Sequence, residues 1–329
     1  MKKEVEKLLQ YVQKPARYIG GELNAVVKDK EKVDIRYAFC FPDTYEIGMS
    51  HLGMKILYGL VNDRDDSWCE RVFAPDNDME EQLRKNNVPL FALESGDYIK
   101  DFDMIGFTLQ YELSYTNVLN MLNLAQIPLK SSDRESLTPL ICVGGPCACN
   151  PEPITDFVDI VFLGDGEETT NQIIDLLIKA KKNGMSKHEF LLKAKDITGI
   201  YVPSFYKDSY NDDGTLKSLE PLYDAPKKVK KAVVSDMNSV YYPKEFVVPY
   251  INIVHDRAVE EIFRGCIRGC RFCQAGFIYR PIREKSVETI NKQSKALIES
   301  TGYDELSLCS LSTSDHSEVN KMLTSLIDW

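Results

Sequence analysis

Between residues 33 and 182 the sequence repeats one alternation, a short apolar run followed by a longer amphipathic stretch. The runs VDIRYAFC (33–40), WCERVFAP (68–75), FDMIGFTLQ (102–110), PLICVGG (139–145) and DIVFLGDGEE (159–168) have strand length. Between and after them, HLGMKILYGLV, DNDMEEQLRKN, ELSYTNVLNMLNLA and TTNQIIDLLIKAKK space their apolar residues as helices do. Strands alternating with helices predict a doubly wound parallel sheet, covered on both faces. Such sheets bind ligands beyond the carboxyl ends of their strands. Those ends are where this chain collects its Gly, Pro, Asp and Asn residues.

The pattern breaks after residue 182. A short helix, KHEFLLKAKD, precedes a predicted hairpin whose turn is Asn211-Asp212-Asp213-Gly214. A lysine-rich stretch, APKKVKK (225–231), reads as a solvated linker and leads into an extended Tyr/Pro/Val segment ending at Tyr250. A second strand–helix pattern starts at RAVEEIFRGC, continues through helices at about 286–300 and 317–328 around the strand YDELSLCSLS (303–312), and stops in mid-pattern. The expected organisation is a helical lead-in (1–32), the parallel-sheet domain (33–182), a helix, hairpin and linker (183–250), and the first part of a second αβ domain (251–329). Two strand–helix units cannot bury both faces of a sheet, so the remaining strands are expected in a longer chain or in a partner subunit.

No apolar run reaches the roughly 20 residues needed to span a bilayer, and the amphipathic N-terminus has no secretory apolar core. A cytoplasmic protein without membrane contact is expected. The net charge of −10 argues against a general nucleic-acid binder, though it does not bar RNA reached through a partner. Nine cysteines in such a chain point to metal or redox chemistry rather than disulfides. Cys40, Cys69, Cys142 and Cys309 sit in apolar strand-like contexts and are expected to be small buried hydrophobes.

The clustered thiols are Cys266, Cys270 and Cys273, in FRGCIRGCRFCQAGFIYRP. Structural zinc prefers four closely provided ligands, and the candidate fourths, His255 and Cys309, lack the usual spacing. Thioredoxin-like chemistry at Cys270 and Cys273 lacks its strand–helix context. A cubane iron–sulfur cluster suits three soft thiolates, because it leaves one iron open for a chelating small molecule.

The C-x3-C-x2-C spacing after a strand, with the aromatic Phe272 just before the third cysteine, resembles the radical S-adenosylmethionine (SAM) superfamily. The resemblance implies that Cys266, Cys270 and Cys273 ligate a [4Fe–4S] cluster, with SAM chelating the open iron and Phe272 near its adenine. It implies reductive cleavage of SAM to methionine and a 5′-deoxyadenosyl radical, with an electron donor such as flavodoxin or ferredoxin as partner. Where many members carry a Gly-Gly-Glu-like segment, this chain has SLSTSDHS (310–317), so Ser310 and Ser312 are the candidate SAM contacts.

GGPCACNPEPITDFVDIVFLGDGEE (144–168), with KPARYIGGELNAVVKD, FPDTYEIGMSHLGMKILY and ERVFAPDNDME, resembles the branch that places a cobalamin-binding-like, Rossmann-like domain before the radical SAM (β/α) barrel. The resemblance makes Gly144, Gly145, Pro146, Gly164, Gly166 and Glu167 candidate cobalamin contacts, and methyl transfer a candidate chemistry. His51 lacks the Asp-x-His-x-x-Gly context of a lower cobalt ligand and reads as a helix-start residue. Two alternatives stay open: a methylthiotransferase-like enzyme with a second cluster on Cys147, Cys149 and Cys40, and a non-catalytic cobalamin-binding module or subunit of a split enzyme.

Overall fold

The computed structural model describes residues 2–327. Helix α1 (Lys3–Leu8) leads into strand β1 (Ile35–Phe41), followed by the short α2 (Tyr45–Gly48), α3 (Leu52–Asn62), β2 (Ser67–Phe73) and α4 (Asn77–Asn86). The chain continues through β3 (Met104–Thr108), α5 (Tyr115–Leu124), β4 (Leu140–Gly144), β5 (Ile160–Phe162), α6 (Glu167–Lys182), α7 (Lys187–Ala194) and β6 (Ile200–Tyr201). These strands form one sheet in the order β2-β1-β3-β4-β5-β6, parallel throughout except for β6, which pairs antiparallel with β5.

The alternation of side chains along the strands divides two apolar layers. Ala38, Cys40, Ile105, Phe107, Ile141 and Val143 pack with Met79, Leu83, Val118 and Met121 of α4 and α5. Tyr37, Phe39, Met104, Leu140 and Cys142 pack on the opposite face with Met54, Tyr58, Ile173, Leu177 and Phe190 of α3, α6 and α7. Both faces are therefore dry, as strands with little polar alternation require. Helix α6 has Glu167 and Glu168 in its first turn and Lys179, Lys181 and Lys182 in its last, which complements its macrodipole. The edge strand β2 carries two buried charges. Arg71 lies between Glu22 and Glu94, and Glu70 takes Arg36, so neither is left uncompensated in the interior.

A hairpin of β7 (Tyr206–Tyr210) and β8 (Leu216–Pro221) follows, turning at the predicted Asn-Asp-Asp-Gly. Then come β9 (Ala258–Glu261), β10 (Phe263–Arg264), the short α8 (Ala275–Ile278), β11 (Arg283–Glu284), α9 (Val287–Thr301), β12 (Leu306–Cys309) and α10 (Val319–Ile327). Strands β9 and β12 pair in parallel with α9 between them in sequence, while β10 and β11 form a minimal antiparallel ladder. Ser286 caps α9 through the Thr289 amide, and Gly302 ends it with φ +72°. The fold is thus a doubly wound, mostly parallel sheet followed by a second, two-stranded parallel sheet with its helices α9 and α10.

Two expectations need correction. The lysine-rich segment is not simply solvated: Ala232 bridges Gly164, and Lys231 Nζ donates to the Ile278 carbonyl at 2.6 Å and to the Arg280 carbonyl. Cys40, Cys69 and Cys142 are buried as expected, but Cys309, the last residue of β12, is exposed. Among the described residues, no helix is long and apolar enough to cross a membrane.

Candidate functional site

The carboxyl ends of β1, β3, β4 and β5 open into a cavity of about 370 Å³, near the lower end of the usual range for small-molecule pockets, about 300–1,000 Å³. One wall is the first sheet: Tyr37, Phe39, Phe107, Thr108, Phe162 and the turns around Gly144 and Gly164. The other wall is the second: Glu261, Phe263, Arg264, Gly265, Tyr279, Cys309 and Ser310. Gly145 is required by geometry. Its φ is +96°, and a Cβ there would lie 2.7 Å from the Leu109 carbonyl oxygen. A larger cavity, about 670 Å³, lies between α3, residues 238–247 and α9. It has no thiol and does not touch the strand ends, so it is not the candidate site.

The cysteine loop leaves the cavity wall one residue after Gly265. That glycine has φ +94°, and a Cβ would stand 2.7 Å from the Pro281 carbonyl oxygen, so the two legs of the loop cross in close contact. The β10–β11 ladder holds these legs together. None of the three thiols is in a disulfide; Cys270 is exposed, and Cys266 and Cys273 are partly so. The Arg268 amide points at Cys266 Sγ at 3.5 Å. Arg268 also pairs with Asp315, which ties the loop to the segment after β12. Among the described residues, no three His, Cys, Asp or Glu side chains converge tightly enough to hold one metal ion. In a [4Fe–4S] cluster each thiolate would bind a different iron.

The predicted site residues divide between these two places. Gly144, Gly145, Pro146, Gly164, Gly166, Glu167 and Ser310 line the cavity. The three cysteines, Phe272 and Ser312 stand outside it, and Phe272 is 93 % exposed. Glu167 is buried and bonded to Arg264 at 2.5 Å, so its carboxylate faces a protein partner rather than an open ligand position. Ser310 Oγ shares a 2.9 Å hydrogen bond with Thr313. Sequence reasoning missed Asp165, Glu261, Arg264, Tyr279 and Arg283, and the only local signal was an arginine two residues before the first cysteine.

His51 caps α3, accepting the Met54 amide at Nδ1 over 3.1 Å, and its ring also bonds the Gln110 side chain. Burial pushes its pKa down to about 4, with nearby Lys55 adding to the effect and the Gln110 bond opposing it. A neutral imidazole with both sides engaged offers no free nitrogen to a metal. The proposed third ligand of a second cluster fares no better. Cys40 is fully buried within β1, where its thiol donates to the Ala38 carbonyl, whereas Cys147 and Cys149 lie in the turn after β4. The second-cluster arrangement through Cys40 is therefore not formed.

The strand-end edge of the first sheet thus shares one cavity with the base of the three-thiol loop. Residues 53–203, a little under half of the chain, match the family model of radical SAM proteins, N-terminal, and the chain has the fold of a cobalamin-binding radical SAM protein. Among solved structures, it is similar to the radical SAM methyltransferase TsrM from Kitasatospora setae with cobalamin and a [4Fe–4S] cluster bound, at TM-score 0.52 and 10% identity. The same enzyme with tryptophan substrate and a SAM analogue gives TM-score 0.55 at 10% identity. Each match covers 89% of this chain and 51% of TsrM. The uncharacterized protein MJ0966 of Methanocaldococcus jannaschii is 25% identical over 292 residues, 88% of this chain and 52% of that protein. The chain thus spans about half the length of the curated relative it matches.

Proposed function

We propose that this chain is the cofactor-binding part of a radical SAM enzyme, with a [4Fe–4S] cluster on Cys266, Cys270 and Cys273 and SAM and a corrinoid sharing the cavity between the two sheets. The observation that carries the reading is the shared wall: the glycine turns after β4 and β5 and the base of the cysteine loop line one cavity. The residues suit both groups. Three unpaired thiols stand in a glycine-bent, arginine-rich loop, and the strand ends present backbone and aromatic surface to a flat ring. The cavity's volume suits one face of a corrin or a nucleoside, so the rest of a corrinoid would project through its mouth.

When bound, the cluster supplies the electron that cleaves SAM reductively, and a corrinoid supplies a transferable methyl group. The chain's own residues bind and orient. Gly145 lets the β4 turn approach the ligand, and Tyr37, Phe39, Phe107 and Phe162 exclude water from it. Asp315 restrains Arg268 and hence the outer leg of the loop. The electron would come from a small redox protein docking near the exposed Cys270. Methylation of an unactivated carbon is the reaction class that fits all three groups; the substrate's contacts are expected in part from residues outside this chain.

The test is a metal count on chain purified anaerobically from cells supplied with iron and cobalamin. About four irons per chain, lost in Cys270→Ala, support the cluster, and about one cobalt adds the corrinoid. Cobalt without iron would leave a corrinoid carrier. One zinc without iron, with cluster reconstitution failing, would end the radical reading.

A further inference from the structure

We propose that Arg264 is a positioning residue. It is the hub of an ion-pair lattice that fixes the cysteine loop against the cavity of the first sheet. Its guanidinium reaches three carboxylates. Nε and Nη2 donate to Glu261 at 2.9 Å each, Nη2 donates to Glu167 at 2.5 Å, and Nη1 lies 3.2 Å from Asp165. Glu261 ends the first strand of the second sheet. Asp165 and Glu167 belong to the turn and first helical position after β5, in the first sheet.

Opposite Arg264 on the β10–β11 ladder, Arg283 closes the lattice. It pairs with Asp165 and donates to the Val234 carbonyl at 2.9 Å, while Asp165 also accepts the Val234 amide at 2.8 Å. All five side chains are at most 16% exposed. The lattice spans both sheets, its members other than Arg283 line the cavity, and it sits immediately before Gly265 and Cys266. A guanidinium forked onto several carboxylates fixes direction as well as distance, which a lysine cannot do. The acidic turn after β5 thereby sets where the first cluster thiol stands relative to a ligand on the sheet edge.

The assignment rests on the cluster reading above, so its test has one arm that needs no cluster. In the metal-free full chain, Arg264→Gln is expected to speed amide hydrogen exchange across residues 265–282 by about tenfold, with β1 and β4 unchanged. Arg264→Lys should recover little of this protection. In the reconstituted chain, Arg264→Gln should keep its irons but lose the change in the reduced cluster's electron paramagnetic resonance spectrum on adding SAM.

Glu167→Gln, which leaves the Glu261 pair intact, should show both effects more weakly, and it serves if Arg264→Gln does not fold. Unchanged loop exchange in the variants would overturn the positioning role, whatever the metal content. A wild-type chain that takes up no iron would instead remove the parent reading, and with it any thiol to be positioned.

Discussion

His51 shows how one residue can close off a function while serving the fold. Its Nδ1 is occupied by the Met54 amide, and burial holds its pKa near 4. An unfolded histidine titrates near 6.5, so between about pH 6.5 and 4 the unfolded chain binds the extra proton and the folded chain does not. The stability contribution is complete above the unfolded value and is lost as pH falls toward the folded one. Between pH 7 and pH 4.5 the loss is expected to be about 2–3 kcal/mol. Denaturant titrations at pH 7 and pH 4.5 should show this, and His51→Asn, which keeps a capping acceptor, should lose most of that pH dependence. Gly145 is the other residue where one atom decides. With φ +96° and ψ 178° it occupies a region essentially reserved for glycine. Gly145→Ala should cost about 1–3 kcal/mol, read as a lowered Tm, and should abolish any cobalt retained by the wild-type chain.

The glycines at the strand ends, the cysteine spacing and His51 as a helix start were legible because each is a local demand, imposed by φ, by spacing or by a cap. The lattice around Arg264 was not legible, since its partners lie 97 and 118 residues apart in sequence and no local pattern encodes that pairing. Cys309 misled for a related reason. An apolar strand predicts burial, but whether the strand's last residue is covered depends on what packs beyond it.

At the scale of elements, β9 and β11 are joined by a pair that sequence reasoning passed over. Glu260 and the lysine just after β11, Lys285, are both buried and meet at 2.8 Å, with Lys285 3.6 Å from the Tyr242 ring centre. Burial pushes Glu260 up to about 7 despite the lysine, and its second carboxylate oxygen has no partner among the described residues. Such a pair contributes little net stability while both partners are present, yet breaking it strands a charge. Lys285→Met alone should cost about 3–5 kcal/mol, whereas Glu260→Leu combined with Lys285→Met should come back to within about 1 kcal/mol of wild type. Urea titration of the two variants checks this. If the single and double variants are equally destabilised, the pair is held by packing rather than charge. The main strands were predicted because they are apolar throughout. The two-residue β6, β10 and β11 were not, since elements that short take their identity from their pairing partners.

For the whole molecule, the N-terminal segment is bonded both to the stretch that precedes β9 and to the end of α9. Asn24 Nδ2 donates to the Phe246 and Ser300 carbonyls, both at 3.0 Å, and the Val248 amide donates to the Leu23 carbonyl at 3.0 Å. Asn24 has φ +65°, so Asn24→Gly removes the side chain without adding backbone strain. Loss of the two bonds should cost about 1–2 kcal/mol and speed proteolysis of residues 222–250 severalfold, with the β1–β4 core still protected. Equal cleavage rates in variant and wild type would show that this stretch is held elsewhere.

The cavity's two walls also leave the ribosome at different times. The sheet ending at Tyr201 is complete roughly 110 residues before Ser310 emerges, which at typical synthesis rates is about 5–20 s. During that interval the nascent chain presents its glycine turns to the cell with nothing opposite them. A bulky ligand has its widest entry then. Once β12 has docked, Tyr279, Ser310 and Leu311 line the opposite side of the cavity, and a ligand would have to enter past them. Loading during translation and loading after it are therefore different kinetic problems for this fold.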